Sequence, residues 1–187
     1  MRRTVHQVDI FRYVTLLQTP SAADRSSPNH VEALSLCSIA PSSTEAIEKA
    51  CIMLASLGPK KAVVIRAGAM GACYALSLSP KSVHWVPAYW TESEVHQVVD
   101  VTGAGNGFLG GLCAGLDEGK DVREGESDSL WAELMVAVVW GSVAASFIVQ
   151  QVGLPVLTTS EDGSETWNGA GVRERVDNLV AECSKRS

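Results

Sequence analysis

The run Val98-Val99-Asp100-Val101-Thr102-Gly103-Ala104-Gly105-Asn106-Gly107-Phe108-Leu109-Gly110-Gly111 constrains this chain more than any other stretch. Its apolar start reads as the end of a short buried strand over 98–101. Thr102 offers a hydroxyl where a helix should begin. Phe108, Leu109, Leu112 and Leu116 then come at helical spacing, with Gly111 and Gly115 as small-residue faces. Between strand and helix, Gly103, Ala104 and Gly105 carry little or no side chain, so a ligand can reach their backbone amides. A strand feeding a glycine-rich turn and then a helix makes an anion site. The first N–H groups of a helix have no internal acceptor, and the macrodipole adds about half a positive charge there. A phosphate is the usual occupant.

Three readings of this run stand side by side. In one, the glycines serve only a tight strand-to-helix turn. In another, Gly105-Asn106-Gly107-Phe108-Leu109-Gly110 is a G-x-G-x-x-G dinucleotide fingerprint. That motif needs a second strand ending in an acid at about 20 residues, whereas this chain passes into the polar and acidic stretch 117–128. The third is a phosphate cradle of a non-Walker kind, since G-x-x-x-x-G-K-[ST] occurs nowhere in the chain. Asp100-Val101-Thr102-Gly103-Ala104-Gly105-Asn106 resembles the C-terminal signature of the PfkB/ribokinase family of sugar kinases, usually D-T-T-G-A-G-D, and its wording is similar to a fungal branch, the "maintenance of killer" type. The resemblance implies that Gly103, Ala104 and Gly105 surround the transferring phosphoryl group. It implies also that Asn106 stands where the family has its Asp base, and that Asp100 and Thr102 help to hold a monovalent cation.

Size and composition set the class. The 187 residues suffice for one domain with a core, and 46% hydrophobic with 19% charged residues describes a soluble globular chain. A net charge of −6 argues against nucleic acid as a partner. No apolar run is expected to reach the roughly 18–20 residues of a membrane span. The stretch 130–149 comes nearest, and Glu133, Gln150 and the small residues on one side make it a buried core helix and no membrane anchor. Cys37, Cys51, Cys73, Cys113 and Cys183 are scattered through apolar segments, which suggests buried reduced thiols and a cytoplasmic home, with no ligand spacing for a metal.

The second informative stretch is Ser27-Pro28-Asn29-His30-Val31-Glu32. Asn29 and Glu32 share the first turn of a helix. They fit a capping box, and they equally fit an amide and a carboxylate holding water around Mg²⁺. P-N-x-x-E resembles the N-x-x-E motif of the same kinase family, which acts on Mg²⁺ and phosphate. Residues 43–57 read as an amphipathic helix with Ala46, Ile47, Ala50, Cys51, Leu54 and Leu57 on its apolar face, Ser42 or Ser43 as cap and Gly58-Pro59 as stop. Next come a buried strand over 61–66, a turn at Gly68-Ala69-Met70-Gly71 and a second strand over 72–78. Gly68 and Gly71 match the family's T-L-G-x-x-G segment beside the nucleotide; Arg66 replaces its Thr and serves either a phosphate or a structural ion pair.

A strand over 82–86 leads to the aromatic group Trp85, Tyr89 and Trp90, read as packing under a loop or as a platform for a base. A solvated acidic loop spans 117–128. A long helix spans 130–151, in which Gly141 and Ser142 fall where the family sets a helix beside adenine. Residues 157–171 read as loop. A last helix over 172–183 presents Arg173, Glu174, Arg175 and Asp177 on a charged side.

The expected fold is thus α/β, a ribokinase-like three-layer α/β/α domain represented by its C-terminal nucleotide-binding part, with an ill-defined segment over 1–27 ahead of residues 28–187. The resemblance implies ATP, Mg²⁺ and a sugar or related alcohol acceptor, with a second copy of the chain open as a partner. The competing expectation, prompted by Asn106 and by the family's sugar-binding half having no counterpart here, is a weak or inactive nucleotide-binding relative working through a partner protein, or a truncated gene product.

Overall fold

The computed structural model describes residues 25–40, 43–57, 61–118 and 127–186. The expectations for 1–24, the Ser42 cap, the Gly58-Pro59 stop and most of the acidic loop lie outside them. The chain divides into two compact units, Met1–Trp85 and Val86–Ser187, and each is taken by itself.

In the first unit a four-stranded sheet runs in the order β1 (Arg25–Ser26), β2 (Ala62–Arg66), β3 (Ala72–Leu76), β4 (His84–Val86). β1 pairs with β2 in parallel, Ser26 opposite Val63. β2 and β3 are antiparallel, from Ala62 opposite Leu76 to Arg66 opposite Ala72. The Val-Val-Ile run of β2 is buried throughout, as expected of a central strand with both faces covered. Two helices, α1 (His30–Cys37) and α2 (Thr44–Leu57), supply Ala33, Leu34, Ile47, Ala50, Cys51 and Leu54 to a core with Val63, Ile65, Cys73 and Ala75. Burying a Val, Leu or Ile side chain stabilises by about 1.5–3 kcal/mol. Ser43 caps α2, its Oγ accepting from the Ala46 amide at 3.2 Å. Leu57, expected on the apolar face, is 52% exposed at the helix end, and Ala55 is buried instead.

Among its described residues the second unit is built mainly of helices, with one hairpin. It holds α3 (Ala104–Glu118), α4 (Ser127–Ile148), the antiparallel pair β5 (Leu157–Thr159) and β6 (Glu165–Trp167), and α5 (Val172–Arg186). Small residues let α3 and α4 approach. A Cβ on Gly111 would clash with the Trp140 carbonyl oxygen, and one on Gly115 would lie 2.6 Å from Ala137 Cα. The Leu130–Ile148 stretch of α4 is long and apolar enough to cross a membrane by length and composition alone; half of it is buried inside the protein.

Four expectations are overturned here. Residues 98–101 are not a buried strand: Val98, Val99 and Val101 are 37%, 61% and 68% exposed, in a loop after a short 3-10 turn over Glu92–Gln97. Their backbone finds a helix end to bond to instead of a sheet edge. Residues 157–171 contain a hairpin and are not plain loop. Of the five thiols, Cys113 is exposed. Arg175 is 5% exposed and does not belong to a charged outer side of α5.

Candidate functional site

The first group of expected site residues gathers at the carboxyl ends of β1 and β2, the edge where open α/β sheets place their ligands. β1 runs through Pro28 into Asn29, the N-cap of α1. The cap is a reciprocal box: Asn29 Oδ1 accepts from the Glu32 amide and Glu32 Oε2 accepts from the Asn29 amide, each at 2.8 Å. One oxygen of Glu32 remains outside this pairing. Asn29 bridges to Arg66 at the end of β2, and the Arg66 amide donates to the Pro28 carbonyl at 3.0 Å. The Arg66 guanidinium donates through Nε and Nη2 to the Ser27 carbonyl at 3.3 and 3.1 Å. Of the two uses foreseen for Arg66, then, the structural one takes the form of a tie to backbone and not of an ion pair. Beneath it, the Ser27 hydroxyl is buried with no partner among the described residues. The chain then turns through Gly68–Met70 to Gly71, whose φ of 97° requires glycine.

The second group lies at the start of α3. Asp100 Oδ1 accepts from the Thr102 amide at 2.9 Å. That amide, with the Thr102 hydroxyl, holds the Asp100 carboxyl below its usual range. The hydroxyl therefore turns back to Asp100 and does not cap the helix. Gly103 reverses the chain with φ 82°. Its carbonyl accepts from the Gly107 amide at 2.9 Å, and the Ala104 amide reaches the Val101 carbonyl at 3.2 Å. The amides of Gly103, Gly105 and Asn106 have no acceptor among the described residues. Gly103 and Asn106 are exposed, while Ala104 and Gly105 are half-buried. The glycines of this run thus divide. Gly107, Gly111 and Gly115 are demanded by packing on α4, so the packing reading holds for them. Gly103 sits ahead of the packed stretch, where its φ alone requires glycine. Ser142 is buried within α4, one turn ahead of Ser146.

Sequence reasoning missed what holds this turn in place. The last carbonyls of a helix have no internal donors, and at the end of α4 each finds an outside one. Trp90 Nε1 donates to Ser146 O at 3.0 Å, Asn168 Nδ2 to Phe147 O at 3.0 Å, and Gln151 Nε2 to Ile148 O at 3.1 Å. Val149 O accepts from the amides of Val99 and Asp100, at 2.7 and 3.2 Å. Trp90 and Tyr89 pack edge to face, 4.8 Å between centroids, beside the Arg175 guanidinium. The aromatics of this segment are thus packing elements, and the Trp85 indole is engaged elsewhere, by its bond to Glu48. A clue to Arg175 was available. Val172, Val176, Leu179 and Cys183 recur at helical spacing, and Arg175 stands three after the first and four before the third, on the apolar side.

Comparison with known proteins identifies the family and the fold. The model of the pfkB family carbohydrate kinases matches residues 9–155. Protein MAK32 of Saccharomyces cerevisiae is 28% identical over 181 residues, which cover 91% of this chain and 44% of that protein, in keeping with the fungal likeness of the signature. Among solved structures, Arabidopsis thaliana ribokinase complexed with ribose and ATP has 23% identity and a TM-score of 0.56, covering 84% of this chain and 41% of that one. Vibrio cholerae fructokinase, a double mutant with fructose, ADP and potassium ion bound, has 26% identity and a TM-score of 0.50, covering 71% and 36%. The chain spans less than half the length of each of these relatives. The fold is ribokinase-like, and the chain belongs to the pfkB family of carbohydrate kinases.

Proposed function

We propose that this chain carries the nucleotide-binding part of an ATP-dependent kinase for a sugar or related alcohol. One observation carries the reading: the amides of Gly103, Gly105 and Asn106 stand without acceptors among the described residues at the start of α3, behind side chains too small to block them. In phosphoryl transfer the protein chiefly positions the group and stabilises its charge. Amides fixed at a helix start do this without reorganising, because their dipoles already point at the oxygens that gain charge. Gly103, Ala104 and Gly105 would hold the phosphoryl oxygens. The residues around Asn29 suit a hydrated Mg²⁺: the cap fixes Glu32 through one oxygen and leaves the other for water, which this hard cation retains. Mg²⁺ held there would neutralise phosphate charge. Asp100, its carboxyl held below the usual range, and Thr102 suit a monovalent cation.

Asn106 favours a second reading. A carboxamide cannot accept a proton at neutral pH, and general-base catalysis is worth about 10²–10⁴ in rate. With an amide at that position, the chain would bind nucleotide and transfer phosphate slowly or not at all, acting through a partner protein. Calorimetric titration with ATP and Mg²⁺ tests the cradle, and absence of binding overturns both readings. A sugar panel with the wild type and Asn106→Asp separates them. The kinase reading expects the Asp variant to turn over about 10²–10⁴ faster. ATP binding without turnover in either form leaves the binding protein.

A further inference from the structure

Arg175 is a buried cation whose hydrogen-bond partners are neutral. Nη1 donates to Ser146 Oγ and Nη2 to Gln150 Oε1, each at 2.8 Å. Its Cζ lies 3.7 Å from the Phe147 ring centroid, 4.9 Å from Trp90 and 5.1 Å from Tyr89. Burying a charge without a carboxylate is costly unless other negative potential replaces it. Here three rings and the carbonyl end of α4 supply it. Lysine cannot do the same, because only a planar fork stacks on rings while donating in two directions.

The fork orients what lies beyond it. Gln150 Oε1 accepts from Arg175 at 2.8 Å and more weakly from Asn168 Nδ2 at 3.4 Å, so the Gln150 amide nitrogen is turned outward and donates to Gln97 Oε1 at 3.2 Å. Gln97 in turn sets its own amide nitrogen against His96 Nε2 at 3.1 Å, which leaves its oxygen for Gln150. The two carboxamides are thus oriented in series, and a charged donor at the head of such a chain polarises each later bond. Gln97 ends the 3-10 turn directly before Val98-Val99-Asp100; the amides of Val99 and Asp100 hang from the carbonyl of Val149, the neighbour of Gln150. The segment entering the glycine turn is therefore pinned at two adjacent points of one helix end.

We propose that Arg175 is a positioning residue for the glycine turn, acting through Gln150 and Gln97 on the backbone of residues 97–100. Its bearing on nucleotide binding rests on the reading of that turn as a phosphate site; the positional link does not. Amide hydrogen exchange on the full chain, paired with ATP titration, tests it in Gln97→Ala, Gln97→Glu and Arg175→Lys. Gln97→Ala cuts the link without touching a buried ring. It is expected to speed exchange at Val99 and Asp100 by about five- to tenfold, the loss of roughly one hydrogen bond, with weaker ATP binding alongside. Gln97→Glu keeps an oxygen for Gln150 and retains wild-type protection. Arg175→Lys speeds exchange at Val99 and Asp100 at least as much as Gln97→Ala, and Val64 and Ile65 are unchanged in all three. Unchanged exchange at Val99 and Asp100 in Gln97→Ala or in folded Arg175→Lys overturns the proposal, as does acceleration spread evenly over α3, α4 and α5. If the wild type binds no ATP while Val99 and Asp100 still respond, the phosphate reading fails and the positional link stands. Should Arg175→Lys fail to fold, the two Gln97 variants decide.

Discussion

Two helices in this molecule begin beside expected site residues, and they begin in opposite ways. α1 closes its own start: Asn29 and Glu32 exchange two hydrogen bonds, so side chains occupy amides that would otherwise face outward. α3 leaves its start open: Gly103, Ala104 and Gly105 bring nothing that could accept from their own amides. The first arrangement favours the helix, since a polar cap is worth about 1 kcal/mol. The second forgoes that stability and leaves the positive end of the helix without side-chain acceptors of its own. Whether the residues of a first turn carry side chains that can accept therefore decides if a helix satisfies its own leading amides or leaves them open.

The sharpest way to break this contrast is to put an acid into the open start. Ala104→Asp adds a carboxylate where a Cβ already exists, in the first turn, where the dipole favours it by about 0.3–1 kcal/mol. ATP affinity should fall by about 2–3 kcal/mol through like-charge repulsion, with Tm unchanged or slightly higher. Equal ATP binding by calorimetry in both forms would mean that phosphate does not sit at α3. The next effect belongs to the closed start. Asn29→Ala should destabilise the fold by about 1 kcal/mol in a denaturant titration, and Asn29→Ser, which still caps, by much less. If Asn29→Ser nonetheless weakens Mg²⁺-dependent ATP binding, the closed start has a ligand role as well. The smallest effect concerns Asp100. Its carboxyl is held low by the Thr102 amide and hydroxyl, so the stability it adds is present above the unfolded carboxyl value and is lost as pH falls through the lowered one. Thr102→Val removes the hydroxyl, and the Asp100 titration followed by NMR should move upward, toward the ordinary carboxylate range.

Much of the first unit was legible because its signals are local. The helix over 43–57, the apolar strand ending at Arg66, the glycine turn and the cap at Asn29 each emerge from spacing or capping within a few residues. The failures share a cause. Three valines at 98, 99 and 101 read as a strand, but a strand exists only where a neighbour offers its edge, and these residues met the end of α4. The short strands β5 and β6 pair with each other, through a register that composition does not display. Arg175 read as surface because charge outweighs periodicity in a local reading, although its position three residues after Val172 already placed it on the apolar side.

By itself the sequence determined the pfkB signature, the small residues that keep the α3 amides accessible, and the helix and strand periods that build the α/β core. Each depends on backbone geometry within a turn or two of chain. The tertiary structure alone decided what holds the glycine turn, since the carbonyls of α4, the rings of Tyr89, Trp90 and Phe147 and the fork of Arg175 come from segments up to 86 positions apart, from Tyr89 to Arg175. Hydrogen bonds and ring contacts act over a few ångströms, so only the packed fold brings such partners within range of one another.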